Sequence, residues 1–495
     1  MQQQPELSFD NSYSRLPERF YARQSPTPVS SPALILVNRE LAEKLGIDPD
    51  WLESEAGLKV LAGNQIPQGA DPISTAYAGH QFGGWNPQLG DGRAVLLGEV
   101  ISRSGQRFDL QLKGSGPTPW SRGGDGRSPI GPVLREYVVS EAMAVLGVPT
   151  TRALAAVTTG EQVIREGPLP GGVITRVAKS HIRIGTFQFF AARKDEEALQ
   201  LLVDHVISRH YPEAAEAANP THALLDAAIE AQAQLVTHWQ MFGFIHGVMN
   251  TDNVLLSGET VDYGPCAYID DFHPDTVFSS IDHNGRYSFR NQPAIAHWNL
   301  SNLAQTLLPL LADDDVQSLA LAQKSVDAFP AVFLHANQEG MIKKLGLLEY
   351  REGDDTLMQD LLDLMAQERA DFTLTFRRLS DLADTEADPQ TTVASLYEFP
   401  DSFAPWLKRW QERIQADDMS AQQRQANMYH ANPVFIARNH LVEEVIQAAV
   451  NDEDFKPFHE LNAVLQQPFV YRQELVHYAT PPQPNEVVHQ TFCGT

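Results

Sequence analysis

The apolar pattern of this chain changes period partway along, and no other feature of the sequence restricts the fold as much. Before residue 194 apolar residues come in strand-length blocks, at 94–100, 107–113, 153–158 and 172–177. A short polar turn at 102–106 joins the first two, which predicts a hairpin. Pro132 suits a first helical position. Val133, Tyr137, Val138 and Val145 then recur at helical spacing up to Gly147, so 132–146 is predicted as a helix. After residue 194 the period is helical almost throughout. Residues 195–210 make one predicted helix, and Leu224, Ala228, Ala231, Leu235, Trp239 and Phe242 mark a longer one that Gly243 ends. From about Pro293 three more stripes follow: Trp298, Leu303, Leu307 and Leu311; then Leu361, Leu362 and Met365; then Trp406, Leu407 and Trp410. Residues 351–420 read as acidic and helical, without an assigned role. Strands followed by helices predict an α+β chain of two lobes, 1–194 and 195–495, with a ligand cleft between them.

The long helix leads into the segment richest in chemistry, His246-Gly-Val-Met-Asn-Thr-Asp-Asn253, with Asp262-Tyr-Gly264 after a strand-like run at 254–256. Protein kinases place H-R-D-x-x-x-x-N and then D-F-G in this order. The amide oxygen of Asn253 and the carboxylate of Asp262 are hard ligands of the kind that hold Mg²⁺ against nucleotide phosphates. The kinase base should stand two residues after His246, where this chain has Val248, which cannot accept a proton. Asp252 offers a carboxylate next to Asn253 instead, within reach of an incoming hydroxyl; its bland alternative is a turn cap. His246 suits a structural role in the loop.

Upstream, Lys113 closes a strand and Glu136 lies on the following helix, the arrangement of a phosphate-directing Lys–Glu pair. Gly90 and Gly92 permit close backbone approach to a ligand, and Arg93 adds charge. Arg176 and Arg183 are two further phosphate candidates. Taken singly, each of these residues is better explained as a turn, a strand end or a surface ion pair. Their order along the chain is what predicts a protein-kinase-like two-lobed fold that binds ATP with Mg²⁺.

Charge narrows the partners. The chain of 495 residues carries 63 Asp and Glu against 37 Lys and Arg, a net −26, so its surface repels polyanions and nucleic acid is not an expected partner. A phosphate ligand then needs a local basic pocket. Two cysteines, Cys266 and Cys493, are too few for a disulfide scaffold or a cysteine-rich zinc site. They leave open one bridge or a pair of redox thiols. No apolar run reaches the length of a membrane span and no signal-like segment opens the chain, so a cytoplasmic protein without membrane association is expected. P-loop, dinucleotide-fold, zinc-protease and esterase signatures are absent from the sequence.

Longer stretches resemble a known family. Tyr77-Ala-Gly-His-Gln-Phe-Gly83 with Gln88-Leu-Gly-Asp-Gly-Arg-Ala94 looks like the hallmark of the selenoprotein O family. His246 to Asn253, Asp262-Tyr-Gly-Pro265, Trp298-Asn-Leu300, Asn432-Pro-Val-Phe-Ile-Ala-Arg-Asn439 and the tail Thr491-Phe-Cys-Gly-Thr495 are similar to it too. The resemblance runs from about residue 9 to the C-terminus. It implies a pseudokinase that transfers AMP from ATP to Ser, Thr or Tyr hydroxyls of proteins, with ATP flipped relative to kinases. Arg176 and Arg183 would hold the buried terminal phosphates, and Lys113, supported by Glu136, would contact phosphates. Gly90, Gly92 and Arg93 would line the nucleotide, as would Asp125 and Gly126 of the inserted glycine-rich loop. Asn253 and Asp262 would ligate Mg²⁺, for which Mn²⁺ is an alternative, and Asp252 would be the base. Cys493 stands where some members carry selenocysteine. A reversible Cys266–Cys493 bridge tethering the tail near the cleft is a further expectation. Three competing readings remain at this level: a kinase moving the γ-phosphate, which Val248 disfavours; a uridylyltransferase using UTP; and a non-catalytic ATP-binding scaffold.

Overall fold

Polar residues at 102–106 turn the chain back on itself, and the blocks on either side pair as the predicted hairpin, β6 (Ala94–Ile101) with β7 (Arg107–Lys113). The computed structural model describes residues 7–384 and 392–491. The hairpin sits inside an antiparallel sheet built with β1 (Tyr21–Arg23), β2 (Ala33–Val37), β3 (Ile73–Thr75), β9 (Arg152–Ile164) and β10 (Pro168–Ala178), in the order β1-β3-β6-β7-β10-β9-β2. A short β8 (Ser128–Pro129) pairs with β10 off this path, and β4 (Gly79–Gln81) with β5 (Gly84–Asn86) forms a separate two-stranded ribbon. β9 and β10 extend well past the predicted blocks. Their continuations, 159–164 and 168–171, pair with each other across a turn; of their apolar residues Val163 is buried and Ile164 exposed, so no apolar block marks them in the sequence.

Helix α4 (Ile130–Val145) begins two residues before the predicted start and lies against β9 and β10. The helices α1 (Arg39–Leu45), α2 (Pro49–Leu52) and α3 (Glu55–Leu61) share a second apolar core, in which Leu41, Leu45, Leu52 and Leu61 meet Leu97, Leu110, Leu112 and Val157 of the sheet. The sheet is thus covered on both faces.

Beyond Ala178 the chain is mainly helical, apart from the two-residue pair β11 (Phe244–Ile245) and β12 (Ala267–Tyr268). Helix α5 (Ile184–Ala191) is followed by α6 (Glu196–His210), whose N-cap Asp195 accepts a hydrogen bond from the Ala198 N–H, and by α7 (Pro220–Met241), capped by Asn219. The predicted strand at 254–256 does not extend into a ladder. Residues 254–256 instead exchange isolated backbone bonds with 182–184, Ile184 N–H to Val254 O and Leu256 N–H to Ile182 O. α8 (Gln292–Leu311) and α9 (Asp315–Leu345) pack on α7. α10 (Asp354–Glu368), α11 (Phe372–Asp381), α12 (Ala404–Gln415) and α13 (Ala421–Ala431) occupy the acidic region and its flanks around the buried Trp406 and Trp410.

The last long helices turn back. α14 (Asn439–Asp452) and α15 (Lys456–Leu465) pack on α4, so the C-terminal segment buttresses the helix that presents Glu136; a short α16 (Val476–Ala479) follows. The fully buried Arg438 anchors this return through Asp270 and through Asp371, at 2.8 Å for the latter. Among the described residues no helix is long and apolar enough to cross a membrane.

Candidate active site

Strand pairing places Lys113 and Arg176 on neighbouring strands, β7 and β10, and α4 sets Glu136 beneath both. Lys113 Nζ lies 2.6 Å from Glu136 Oε2 and 3.0 Å from Asp262 Oδ1. Arg176 bonds Glu136 through Nε and reaches Asp262 Oδ1 with Nη2 at 2.7 Å. Arg183, the residue just before α5, stands 3.9 Å from Asp262 Oδ2 and 3.6 Å from Asp91 Oδ1, with its guanidinium over the Tyr77 ring. Burial opposes ionisation of Asp262, but Lys113, Arg176, Arg183 and Arg93 outweigh it and hold the carboxyl well below the usual range. Asp262 itself takes a left-handed backbone, φ 67°.

The loop carrying Asp252 and Asn253 is held from several sides. His246 is buried, donates from Nε2 to the Val261 carbonyl at 2.8 Å and accepts the Val248 N–H on Nδ1. One ring nitrogen donates and the other accepts, so the imidazole is neutral, in keeping with burial lowering its pKa. His246 therefore ties the loop to the residue before Asp262. Val248 contributes its backbone: its carbonyl accepts from Asn253 Nδ2 at 3.0 Å, which turns the Asn253 Oδ1 the other way. Asn299, in the Trp298-Asn-Leu300 stretch, donates to the Met249 carbonyl at 3.0 Å. Arg183 Nη1 donates to the Asp252 carbonyl at 2.5 Å, so one arginine spans the loop and the Asp262 carboxylate.

Asp252 keeps a charged-group oxygen unsatisfied, and Arg183 Nε and Asn299 Oδ1 also lack a hydrogen-bond partner. Asp252 Oδ2 accepts from Gln81 Nε2 at 3.1 Å, whereas Oδ1 is buried without a hydrogen-bond partner. Burial pushes its pKa up to about 6, against the opposing charge of Arg183. A buried carboxylate oxygen with no partner is costly unless a ligand or a proton uses it.

Sequence reasoning did not find what presses on this loop from the N-terminal side. The ribbon β4–β5 turns at Phe82 and Gly83, both with left-handed φ (50° and 83°), a two-residue hairpin geometry. For a phenylalanine that conformation costs on the order of 1 kcal/mol. The Phe82 N–H bond to Asn250 Oδ1 (3.0 Å) and the ring's contact with Tyr287 hold it there. His80 N–H donates to Thr251 Oγ1, and a Cβ on Gly79 would stand 2.6 Å from Asp252 Oδ1. Asp91 was also missed. It accepts from the Thr75 N–H and hydroxyl, next to Arg183. Its one sequence signal was a lone acid between two glycines.

Other expected residues have structural partners. A Cβ on Gly90 would stand 2.4 Å from the Trp120 ring, and one on Gly92 2.9 Å from the Trp120 carbonyl, so packing against the inserted loop explains both glycines. Gly126 is pressed on Gly116, and Asp125 pairs with Arg165 at 2.9 Å at the surface. Cys266 is buried. Thr491 Oγ1 donates to the neighbouring Pro265 carbonyl at 2.7 Å, which brings the tail to this segment; Cys493 lies outside the described residues.

Comparison with known proteins covers nearly the whole chain. The family model described as "Protein adenylyltransferase SelO" matches residues 3–466. Relatives named "Protein nucleotidyltransferase YdiU" are 58% identical over 487 residues in Bradyrhizobium sp. (strain ORS 278) and 58% over 489 in Rhodopseudomonas palustris (strain BisB5). Another, from Methylorubrum extorquens (strain PA1), is 56% identical over 492 residues. Each alignment covers 98% of this chain and 99% of the relative. With a match of that extent, the chain belongs to the SelO family.

Proposed function

We propose that the chain is a protein adenylyltransferase, moving AMP from ATP to Ser, Thr or Tyr hydroxyls in a cleft between two kinase-like lobes divided near residue 194. The observation that carries this reading is the convergence of Lys113, Arg176 and Arg183 on Asp262, beside an Asp252 oxygen left without a partner. The names of the relatives support nucleotidyl transfer to protein. A cytoplasmic location and the absence of nucleic-acid partners belong to the same proposal.

The donor set fits a nucleotide-bound divalent ion. Among the described residues no three of His, Cys, Asp and Glu gather into a metal cage. Mg²⁺ held with a nucleotide needs few protein ligands, because phosphate and water oxygens complete its shell, and Asn253 Oδ1 with the Asp262 carboxylate supply hard oxygens. The three cations are already balanced by Glu136, Asp262 and Asp91, so a triphosphate entering here needs added positive charge. Mg²⁺, or Mn²⁺ in its place, supplies that charge.

The protein's own groups then divide the work. Arg176 and Arg183 hold the terminal phosphates, and Glu136 aims the Lys113 ammonium at them. Gly90, Gly92 and Arg93, with Asp125 and Gly126, flank the nucleotide. Asp252 Oδ1 takes the proton of the acceptor hydroxyl as that oxygen bonds the α-phosphorus. The bond from the α-phosphorus to the bridging oxygen breaks, and pyrophosphate leaves. Val248 has no part in proton transfer, since only its backbone is used.

Intact-mass analysis after incubation with ATP and Mg²⁺ is expected to show one added AMP on the protein or an acceptor. Label is expected to follow α-labelled and not γ-labelled ATP; transfer of γ-label would make it a kinase, and a preference for UTP a uridylyltransferase. Replacing Arg176 with Lys is expected to weaken ATP by about 2 kcal/mol, a lost charge-assisted contact, and AMP much less. Calorimetry that finds equal losses for both nucleotides argues against terminal phosphates at Arg176. The Cys266–Cys493 tether is proposed on the docking of Thr491 beside Pro265. Non-reducing peptide mapping of oxidised protein tests it, and finding no crosslinked peptide removes it.

A further inference from the structure

The ribbon that presses on the catalytic loop has a second face. Residues alternate across a strand, so Gly79 and Gln81 face Asp252 while His80 points away from it. His80 pairs across the ribbon with Trp85, ring centroids 4.9 Å apart, and meets the Trp298 ring at 5.2 Å. Beside this face opens a cavity of about 320 Å³ lined by His80, Trp85, Gln188, Asn302, Gln305 and Thr306, with the side chains coming from the ribbon, α5 and α8. It is wired to the loop. Gln188 Nε2 donates to His80 Nδ1 at 2.9 Å, and its Oε1 accepts from the Thr251 hydroxyl at 2.6 Å, one residue before Asp252.

Its chemistry differs from that of the phosphate side. No lysine, arginine or carboxylate lines it, and burial lowers the pKa of His80, which keeps the ring neutral. A phosphate would find no cation in the lining: Arg286 lies over the Trp298 ring at 4.7 Å and against the ribbon turn at Gly83, while Lys113, Arg176 and Arg183 gather at Asp262. Carboxamides and a hydroxyl match instead the neutral donors and acceptors of a peptide backbone. Trp85 is 43% exposed, unusual for a tryptophan in such a position. Its strand, β5, pairs only with β4 among the described residues, which leaves an edge for an extended segment to join.

We propose that this ribbon and cavity are the acceptor-docking site. An extended segment of the protein substrate lies along the edge of β5 with one side chain against Trp85, and the alternate side chains fall on the Asp252 face, where one presents its hydroxyl opposite the nucleotide. The proposal rests on the adenylyltransferase reading for what happens to that hydroxyl, but the docking can be measured without it.

The probe is fluorescein-labelled dephosphorylated casein, an unfolded polypeptide rich in serine, followed by anisotropy with and without ATP and Mg²⁺. Trp85→Ala truncates an exposed ring, and Gln305→Arg places a bulky cation at the exposed mouth of the cavity, so neither disturbs a buried core. Each is expected to weaken casein binding about tenfold or more, as loss of an aromatic anchor does, while the ATP dissociation constant measured by calorimetry stays unchanged. Casein binding that is absent, or indifferent to both substitutions, overturns the site, as does an equal loss of ATP affinity. Label transfer separates the two claims. Transfer of α-label to casein with a KM insensitive to Trp85→Ala leaves the activity and removes the docking site. Binding that depends on Trp85 without transfer leaves the docking site and removes the activity.

Discussion

Asp262→Asn is expected to lower nucleotide transfer about a thousandfold or more, since it removes both the metal-binding charge and the anion that orders the phosphate-binding cations. Asparagine is the informative replacement because it tolerates the left-handed backbone that Asp262 adopts. The fold should therefore survive, and Lys113 and Arg176 keep Glu136 as a partner. Asp262→Ala should be as inactive, with added backbone strain. Asn253→Ala is expected to be severe but less complete, because a neutral ligand is lost. Initial rates with α-labelled ATP measure all three. Wild-type turnover by Asp262→Asn would refute the metal assignment.

Glu136→Ala is expected to cost about 3 kcal/mol or more of folding stability, the scale of breaking a buried ion pair from one side. Glu136 is 2% exposed and is the carboxylate shared by Lys113 and Arg176, both nearly as buried. Its removal leaves two cations with only Asp262, whose side chain is partly open to solvent. Chemical denaturation read by tryptophan fluorescence gives the value. Transfer should fall as well, because the Lys113 ammonium loses the group that aims it. A loss below about 1 kcal/mol, the range of an exposed pair, would mean the cluster is solvated in the folded protein. Glu136→Gln keeps the shape but leaves one acceptor oxygen where Glu136 uses two, and is expected to fall between wild type and Glu136→Ala.

The family resemblance read from Tyr77, Gln88, His246, Asp262, Trp298 and Asn432 onward stands, and several of those motifs turn out to be scaffold. Asn299 holds the catalytic loop by its Met249 carbonyl, Arg438 ties Asp270 to Asp371, and Asn439 accepts from Arg135 of α4. Gly79 is pressed on Asp252, whereas Gly90 is pressed on Trp120. Part of each such stretch therefore serves packing around the catalytic loop and between helices rather than chemistry.

Local pattern was enough for the elements and for the Lys–Glu pair. Period-2 and period-3.6 apolar spacing are properties of neighbouring residues, so β6, β7, α4, α6 and α7 could be read nearly to their ends. Lys113 at a strand end with Glu136 on the next helix is likewise a short-range arrangement. The rest depends on contacts across long separations. Gln81 meets Asp252 across 171 positions, Arg176 meets Asp262 across 86, and Arg135 meets Glu443 across 308. No periodicity encodes such pairs, because each forms only when separate elements pack. The same reason hid the second face of the β4–β5 ribbon. Gly79 to Asn86 reads as a glycine-rich turn, and only the packing of Asn250, Thr251, Gln188 and Trp298 around it makes it a wall shared by the catalytic loop and a neutral cavity. Composition and local order determined which chemistry this chain could carry. Tertiary packing decided which carboxylate kept an unpartnered oxygen, because burial and exclusion from hydrogen bonds are properties of the whole fold.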